Sequence, residues 1–261
     1  MLYDTHCHLT LGALRDDREE VWQRAQAAGV GRALVVGIDA ITSNEVLDFV
    51  AGHDGLFASV GIHPTETAKA HPGDFEQIIR LAEHPKVVAI GETGLDLYWK
   101  DSPLAVQLDS LEKHCQLALR LGLPIVLHLR DAFEEAALAL RDYALAGGKA
   151  ILHCFSGGPE HVEPFLSYGF TFSFSGIITY PKADNVRAAA AMVPIDRMLV
   201  ETDAPWLPPV PYRGKRNEPA FVTHTAAALA KIKGVSEAVL AEQTTANALL
   251  ILGGNPNARD A

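Results

Sequence analysis

The sequence predicts an α/β chain folded as a single (β/α)8 TIM barrel. Eight short apolar or β-branched runs alternate with stretches of helical spacing. Residues of metal-ligand type recur at the carboxyl ends of these runs, and 261 residues suit one such domain. In a parallel barrel every strand points toward one face, so ligands scattered along the chain converge there. An open doubly wound sheet alternates in the same way. Its Gly-rich phosphate turn is not found after the first run, which ends in His-x-His instead.

The runs are Leu2–His6, Ala33–Ile38, Phe57–Ile62, Val87–Gly91, Pro124–His128, Ala150–Cys154, Phe170–Phe174 and Arg197–Glu201. The clearest helix follows Ser102-Pro103, a cap and a residue suited to the first turn. Leu104, Leu108, Leu111, Cys115 and Ala118 then share one face, and Gly122 with Pro124 ends it. Further helices are expected over Asp16–Ala28, Asp74–Glu83, Ala132–Ala144, Glu160–Tyr168, Asp184–Met192, Pro219–Lys231 and Ser236–Leu252. The Pro- and basic-rich stretch Pro205–Pro219 reads as an active-site loop. The barrel is expected to occupy 1–252, with 253–261 a loose tail.

Hydrophobic residues make up 48%, enough for a substantial core, and no apolar run approaches the roughly 18 residues of a membrane span. The first run begins at once, without a basic-then-apolar leader. Three cysteines, an odd number without CxxC spacing, suit a reducing compartment. These features predict a cytoplasmic chain that acts as a monomer without an obligate protein partner or membrane. A net charge of −10 argues against strong non-specific duplex binding. It does not exclude a nucleic-acid substrate, because bound cations reverse the local sign where acidic ligands cluster.

His6 and His8 lie two apart and so face the same side of an extended strand. Glu92, in Gly91-Glu92-Thr93-Gly94, is flanked by glycines that permit a tight turn and close approach. With two oxygens it is the candidate bridge between two cations. His128 and His153 end consecutive strands, and Asp203 follows the eighth. Four histidines and two carboxylates exceed one tetrahedral site with an open position. They suit two sites: His6, His8 and Asp203 in one, His128 and His153 in the other, and Glu92 between. Such a pair polarises an oxyanion and generates hydroxide near neutral pH. Asp203 is also placed to take a proton from the attacking water. Ligand types alone leave phosphoester and amide hydrolysis open.

The segments DTHCHL at Asp4–Leu9, VGIHP at Val60–Pro64, IGETGLDLY at Ile90–Tyr98, HLRDA at His128–Ala132, HCFSG at His153–Gly157, ETDAPWL at Glu201–Leu207 and RGKRNEP at Arg213–Pro219 resemble, in order, those of the TatD family. This is a group of metal-dependent deoxyribonucleases in the amidohydrolase-like barrel superfamily. The resemblance implies a barrel nuclease with 3′-to-5′ exonuclease action on DNA, often single-stranded, using two Mg²⁺ or Mn²⁺ ions. By matching position it assigns metal binding to His6, His8, Glu92, His128, His153 and Asp203. His-rich ligation also accepts Zn²⁺ or Ni²⁺. The alternatives are a metal-dependent amide or ester hydrolase of the same superfamily and a non-catalytic binding protein on the same scaffold.

Around this set, His63 ends the third strand and is a candidate for contact with a phosphate or a metal ligand. Glu201, two residues before Asp203, is a candidate support behind a metal ligand or a third-metal ligand, and as a buried acid it calls for a partner such as Arg213 or Arg216. Arg130, Arg213, Lys215 and Arg216 are candidates for backbone phosphates. Trp206, Tyr98 and Trp99 are candidates for base stacking. Cys7, Cys115 and Cys154 read as small core residues turned away from the site. His53, His71, His84, His114, His161 and His224 read as surface residues.

Overall fold

A computed structural model describes residues 1–253; most of the expected tail lies outside the described residues. Eight parallel strands follow one another around a nearly closed barrel in sequence order. They are β1 (Leu2–Cys7), β2 (Val30–Val36), β3 (Leu56–Val60), β4 (Val87–Asp96), β5 (Ile125–Arg130), β6 (Ala150–Leu152), β7 (Thr171–Phe174) and β8 (Met198–Val200). The helices are α1 (Arg18–Ala27), α2 (Ala40–Val50), α3 (Asp74–Leu81), α4 (Leu104–Leu121), α5 (Phe133–Ala139), α6 (Arg141–Leu145), α7 (Val162–Ser167), α8 (Asp184–Met192), α9 (Val222–Lys233) and α10 (Glu237–Leu252).

Three elements depart from expectation, one being the helix expected over Ala132–Ala144, which is divided into α5 and α6 at Leu140. Helix α2 fills a stretch where the sequence reading has no helix. It is nucleated by a capping box: Thr42 N donates to Asp39 Oδ1 at 2.7 Å, and Asp39 N donates to Thr42 Oγ1 at 3.0 Å. It buries Ala40, Ser43, Val46, Leu47 and Val50, which recur at helical spacing. Strand β4 does not stop at Gly91 but runs through Glu92 to Asp96. There Gly94 pairs with His128 and Asp96 with Arg130 of β5. Glu92 therefore sits within a strand rather than beyond its end.

Apolar side chains on alternate strand positions form two cores. The larger packs the strands against the helices; the smaller contains Tyr3, Leu34, Val36, Val88, Val126, Ile151 and Leu199, with Ala248 and Leu252 of α10 against it. From that smaller core a two-residue step leads from Val126 to His128, Ile151 to His153 and Leu199 to Glu201. The alternation that fills the barrel thus delivers polar groups to its carboxyl mouth.

The ring closes at the same mouth. Between β8 and β1 the structure has one parallel bridge, Cys7 with Ala204. His8 N donates to Ala204 O at 2.8 Å and Asp203 N to His6 O at 2.9 Å. Below them the buried Asp4 carboxylate accepts from Thr202 N at 2.9 Å and Thr202 Oγ1 at 2.6 Å. Burial pushes the Asp4 carboxyl up to about 8 against the pull of the Thr202 bonds.

His114, a surface residue in the sequence reading, is fully buried on α4. Its Nε2 accepts from Ile62 N at 3.0 Å, and its Nδ1 donates to Ser110 O at 2.7 Å. The imidazole thus satisfies a backbone donor that the end of β3 leaves unpaired. Burial lowers its pKa to about 4. A depressed histidine stabilises the fold above its unfolded pKa near 6.5 and loses that contribution as pH falls toward 4. Stability is expected to drop by on the order of 3 kcal/mol over that window through this one group. Urea denaturation across pH checks this, because His114→Gln should flatten the slope there; an unchanged slope would contradict it.

Candidate metal centre

The side chains expected from the strand ends meet in one cage. His6 Nε2 and His8 Nε2 lie 3.0 Å apart. Asp203 Oδ1 is 3.8 Å from the first and 3.6 Å from the second. Glu92 Oε2 faces the same group, 3.3 Å from His6 Nε2 and 3.8 Å from His8 Nε2. The other oxygen of Glu92 faces a different group. Oε1 lies 3.0 Å from His128 Nδ1, 3.1 Å from His153 Nε2 and 3.6 Å from His63 Nε2. One carboxylate therefore presents an oxygen to each of two clusters, the geometry expected of a bridge.

Placing that carboxylate requires glycine on both sides. Gly91 has φ +133°, and a Cβ there would meet Val126 O at 2.5 Å. Gly94 has φ +143°, and a Cβ would overlap His128 O. Left-handed backbone also recurs at the rim in Asp131, Cys154 and Asp203 (φ 53°, 45° and 58°). Such conformations are costly for residues with a side chain and concentrate at functional sites.

Hydrogen bonds behind the cage assign the imidazole lone pairs. His8 Nδ1 lies 3.0 Å from Val36 O, so it carries the proton and Nε2 turns a lone pair inward. His153 Nδ1 likewise donates to Glu201 Oε1 at 3.0 Å, and its Nε2 faces Glu92 Oε1 at 3.1 Å. His128 lies between two carboxylates, Nε2 2.9 Å from Asp96 Oδ2 and Nδ1 3.0 Å from Glu92 Oε1, which raise its pKa against burial. Ring nitrogens and carboxylate oxygens thus face one another at close range, positions that a proton or a cation can fill.

The electrostatics agree. Glu92, Asp96, Glu201 and Asp203 make ion pairs only with histidines; no lysine or arginine among the described residues comes within 4.0 Å of them. Burial would raise the Glu92 carboxyl, but His153, His6 and His63 outweigh it and hold it well below the carboxylate range. Burial likewise opposes ionisation of Asp203, yet His8, His153 and His6 hold it low. Burial depresses His153, and Glu92 and Glu201 more than reverse this. An anionic, lone-pair-rich cage that draws protons so strongly fits divalent cations bound by nitrogen and oxygen.

His63 differs from its neighbours. Its Nδ1 accepts from Thr65 N at 3.2 Å, so the proton of the neutral ring sits on Nε2 and points into the cavity. Burial, and then His128, push its pKa down to about 3. It is therefore a neutral donor at physiological pH, suited to a phosphate or carboxylate oxygen.

Two acids support the cage: Glu201, which its place two residues before Asp203 marks in the sequence, and Asp96, which has no clear sequence signal. Asp96 lies four residues after Glu92 on the same strand and fixes the ring of His128. Its Oδ1 also accepts from Tyr98 N at 2.9 Å and Trp99 N at 2.8 Å. Glu201 pairs with neither Arg213 nor Arg216. It holds His153 Nδ1 and accepts from Cys154 N at 2.7 Å, while its Oε2 and the buried His6 Nδ1 both lack a hydrogen-bond partner. Carboxylates behind metal-binding histidines fix ring orientation and raise ligand basicity.

The cage floors a cavity of about 760 Å³ whose wall includes His63, Trp99, Arg130, Cys154, Ser156, Ile177 and Trp206. Strand alternation would point Cys154 away from it. A positive φ breaks that alternation and turns the residue to the cavity wall, with Sγ 3.1 Å from Ser175 Oγ. Cys7 and Cys115 are buried in the core. Arg130 is exposed at the mouth, its guanidinium carbon 3.9 Å from the Tyr98 ring centre. Arg213 lies over Tyr180, and Lys215 is exposed beside Tyr212, away from the cavity lining. Arg216 is withdrawn from any phosphate role by Asp17. Its Nη1 and Nη2 reach that carboxylate at 2.7 and 2.6 Å, and Nη1 also donates to Ala13 O. Tyr98, Trp99 and Trp206 are each about half exposed.

A parallel barrel with a histidine and carboxylate cage at its carboxyl mouth defines a metal-dependent hydrolase. The chain belongs to the TatD related DNase family, which it matches over residues 3–253. It is 38% identical to the uncharacterized metal-dependent hydrolase YabD of Bacillus subtilis, over 95% of this chain and 97% of that one. It is 33% identical to the 3′-5′ ssDNA/RNA exonuclease TatD of Erwinia amylovora, over 97% and 100% respectively. The crystal structure of YjjV, a TatD homologue from Escherichia coli K12, superposes with a TM-score of 0.91 at 32% identity, covering 97% of this chain and 98% of that one. No described helix is long and apolar enough to cross a membrane.

Proposed function

We propose that this hydrolase is a cytoplasmic 3′-to-5′ exonuclease acting as a monomer on single-stranded DNA, with two Mg²⁺ or Mn²⁺ ions. The observation that carries the reading is the division of Glu92 between two donor clusters, His6, His8 and Asp203 on one side and His128 and His153 on the other. All of these groups come from one chain. The chemistry that two divalent cations supply in such a cage is polarisation of phosphoryl oxygens and a lowered pKa for an attacking water. Asp203, held ionised and partly exposed at the cavity, accepts the proton of that water. His63 Nε2–H donates to a phosphoryl oxygen, and Arg130 meets the backbone at the mouth. The half-exposed Trp99 and Trp206 line the same cavity and offer ring faces to unpaired bases. Stacking of this kind favours single strands, whose bases are accessible. Kinship with the 3′-5′ ssDNA/RNA exonuclease of Erwinia amylovora supports this substrate class.

Digestion of end-labelled single-stranded DNA, duplex DNA and RNA with each divalent ion in turn tests the proposal. The expected result is stepwise shortening from the 3′ end, fastest on single-stranded DNA and abolished by EDTA. Turnover of an amide or ester panel with no phosphodiester cleavage would transfer the site to the other branch of its superfamily.

A further inference from the structure

Beside the metal cavity lies a second hollow of about 470 Å³, lined by Ile177, Tyr180, Lys182 and Arg213, and it shares Ser156 and Ile177 with the first. The two adjoin across that shared stretch of wall. The second contains no residue of the cage, and two cations line it. Arg24 and Arg216, on α1 and on the same loop as Arg213, are consumed by Glu218 and Asp17. Lys182 and Arg213 have no carboxylate within 4.0 Å among the described residues, in a chain of net charge −10. The Arg213 guanidinium is instead held above Tyr180, its carbon 4.2 Å from the ring centre.

The hollow is also preformed. Tyr180 OH donates to Pro208 O at 3.0 Å, tying the segment after β7 to the loop after β8. Arg187 donates to Tyr180 O at 2.6 Å and Pro181 O at 3.1 Å, fixing the backbone that carries Lys182. Two unpaired cations on a braced wall, next to a site for one phosphodiester, complement the charge of a neighbouring phosphate.

We propose that Lys182 and Arg213, with Ser156, Ile177 and Tyr180, form a subsite for a second backbone phosphate on the retained side of the scissile bond. This rests on the exonuclease reading above. An enzyme that releases one nucleotide at a time has only one nucleotide on the leaving side. A phosphate one step from the cage therefore belongs to the strand that remains. The subsite makes turnover depend on strand length beyond the dinucleotide and gives the enzyme a reason to prefer polymers.

The test compares kcat/KM for thymidine dinucleotide, trinucleotide and pentanucleotide in the wild-type protein and a Lys182→Ala/Arg213→Ala variant, with thermal melting as the folding control. In the wild-type protein the trinucleotide is expected to exceed the dinucleotide by about tenfold or more, and the variant should lose that ratio. The dependence of log KM on log salt should flatten by about 0.7 for each phosphate that the variant no longer neutralises. Lys182→Arg, which keeps the charge, should retain the ratio. If the wild-type protein cleaves the oligonucleotides and the variant shows the same ratio and salt slope, the subsite is wrong while the nuclease reading stands. If the wild-type protein cleaves none of them, the nuclease reading fails and the subsite with it.

Discussion

Glu92→Gln should lower phosphodiester turnover by at least about a thousandfold and reduce bound metal from two ions per chain to one or fewer. The substitution keeps the size of a side chain that is only 3% exposed and removes the one anion shared by both clusters. Its new amide N–H₂ would donate to imidazole nitrogens that now face Glu92 oxygens, so the barrel should stay folded. Elemental analysis, circular dichroism and kinetics on the same preparation distinguish loss of the bridge from loss of the fold. A folded variant with two ions and ordinary rates would remove Glu92 from the centre.

Asp203→Asn should lower kcat by about 10²- to 10⁴-fold, the range for loss of a positioned proton acceptor. The residue occupies a left-handed conformation that asparagine tolerates, and its backbone N–H still closes the ring on His6 O. The pH profile carries a second expectation. The histidines hold the Asp203 carboxyl below its ordinary range, so its own titration lies well under neutrality. Carboxylates raise both His128 and His153 against burial, so proton competition at these rings shapes the acid limb of metal binding. Metal binding and activity should therefore fall as pH drops through that limb in both proteins, with Asp203→Asn lower throughout. A limb that vanished in the variant would assign it to Asp203 instead.

The cage is legible in the sequence because it depends on local periodicity. His6 and His8 share a face through a two-residue step, and His128 and His153 sit two residues beyond interior apolar positions of adjacent strands. What lies beyond reach depends on which strands neighbour one another and in what register. Asp96 meets His128 because β4 continues past Glu92 and pairs with β5, and nothing local to Asp96 marks that continuation. Glu201 invites pairing with a nearby basic run, yet its partner is His153, 48 residues away. Arg216 is neutralised by Asp17 from the opposite end of the chain, so a basic run next to a ligand overstates the cations free to meet phosphate. Cys154 defies simple alternation because its positive φ reverses the side chain at the end of β6. Helix α2 does carry a local signal, Asp39 followed three residues later by Thr42 ahead of an apolar face.

Anomalous diffraction from crystals grown with excess Mn²⁺ tests the shared-carboxylate centre most directly. Two peaks are expected about 3.5–4 Å apart, with the Glu92 carboxylate between them. His6, His8 and Asp203 should surround one peak, and His128 and His153 the other. A single peak, two peaks that do not share Glu92, or no peak at the barrel mouth would contradict it.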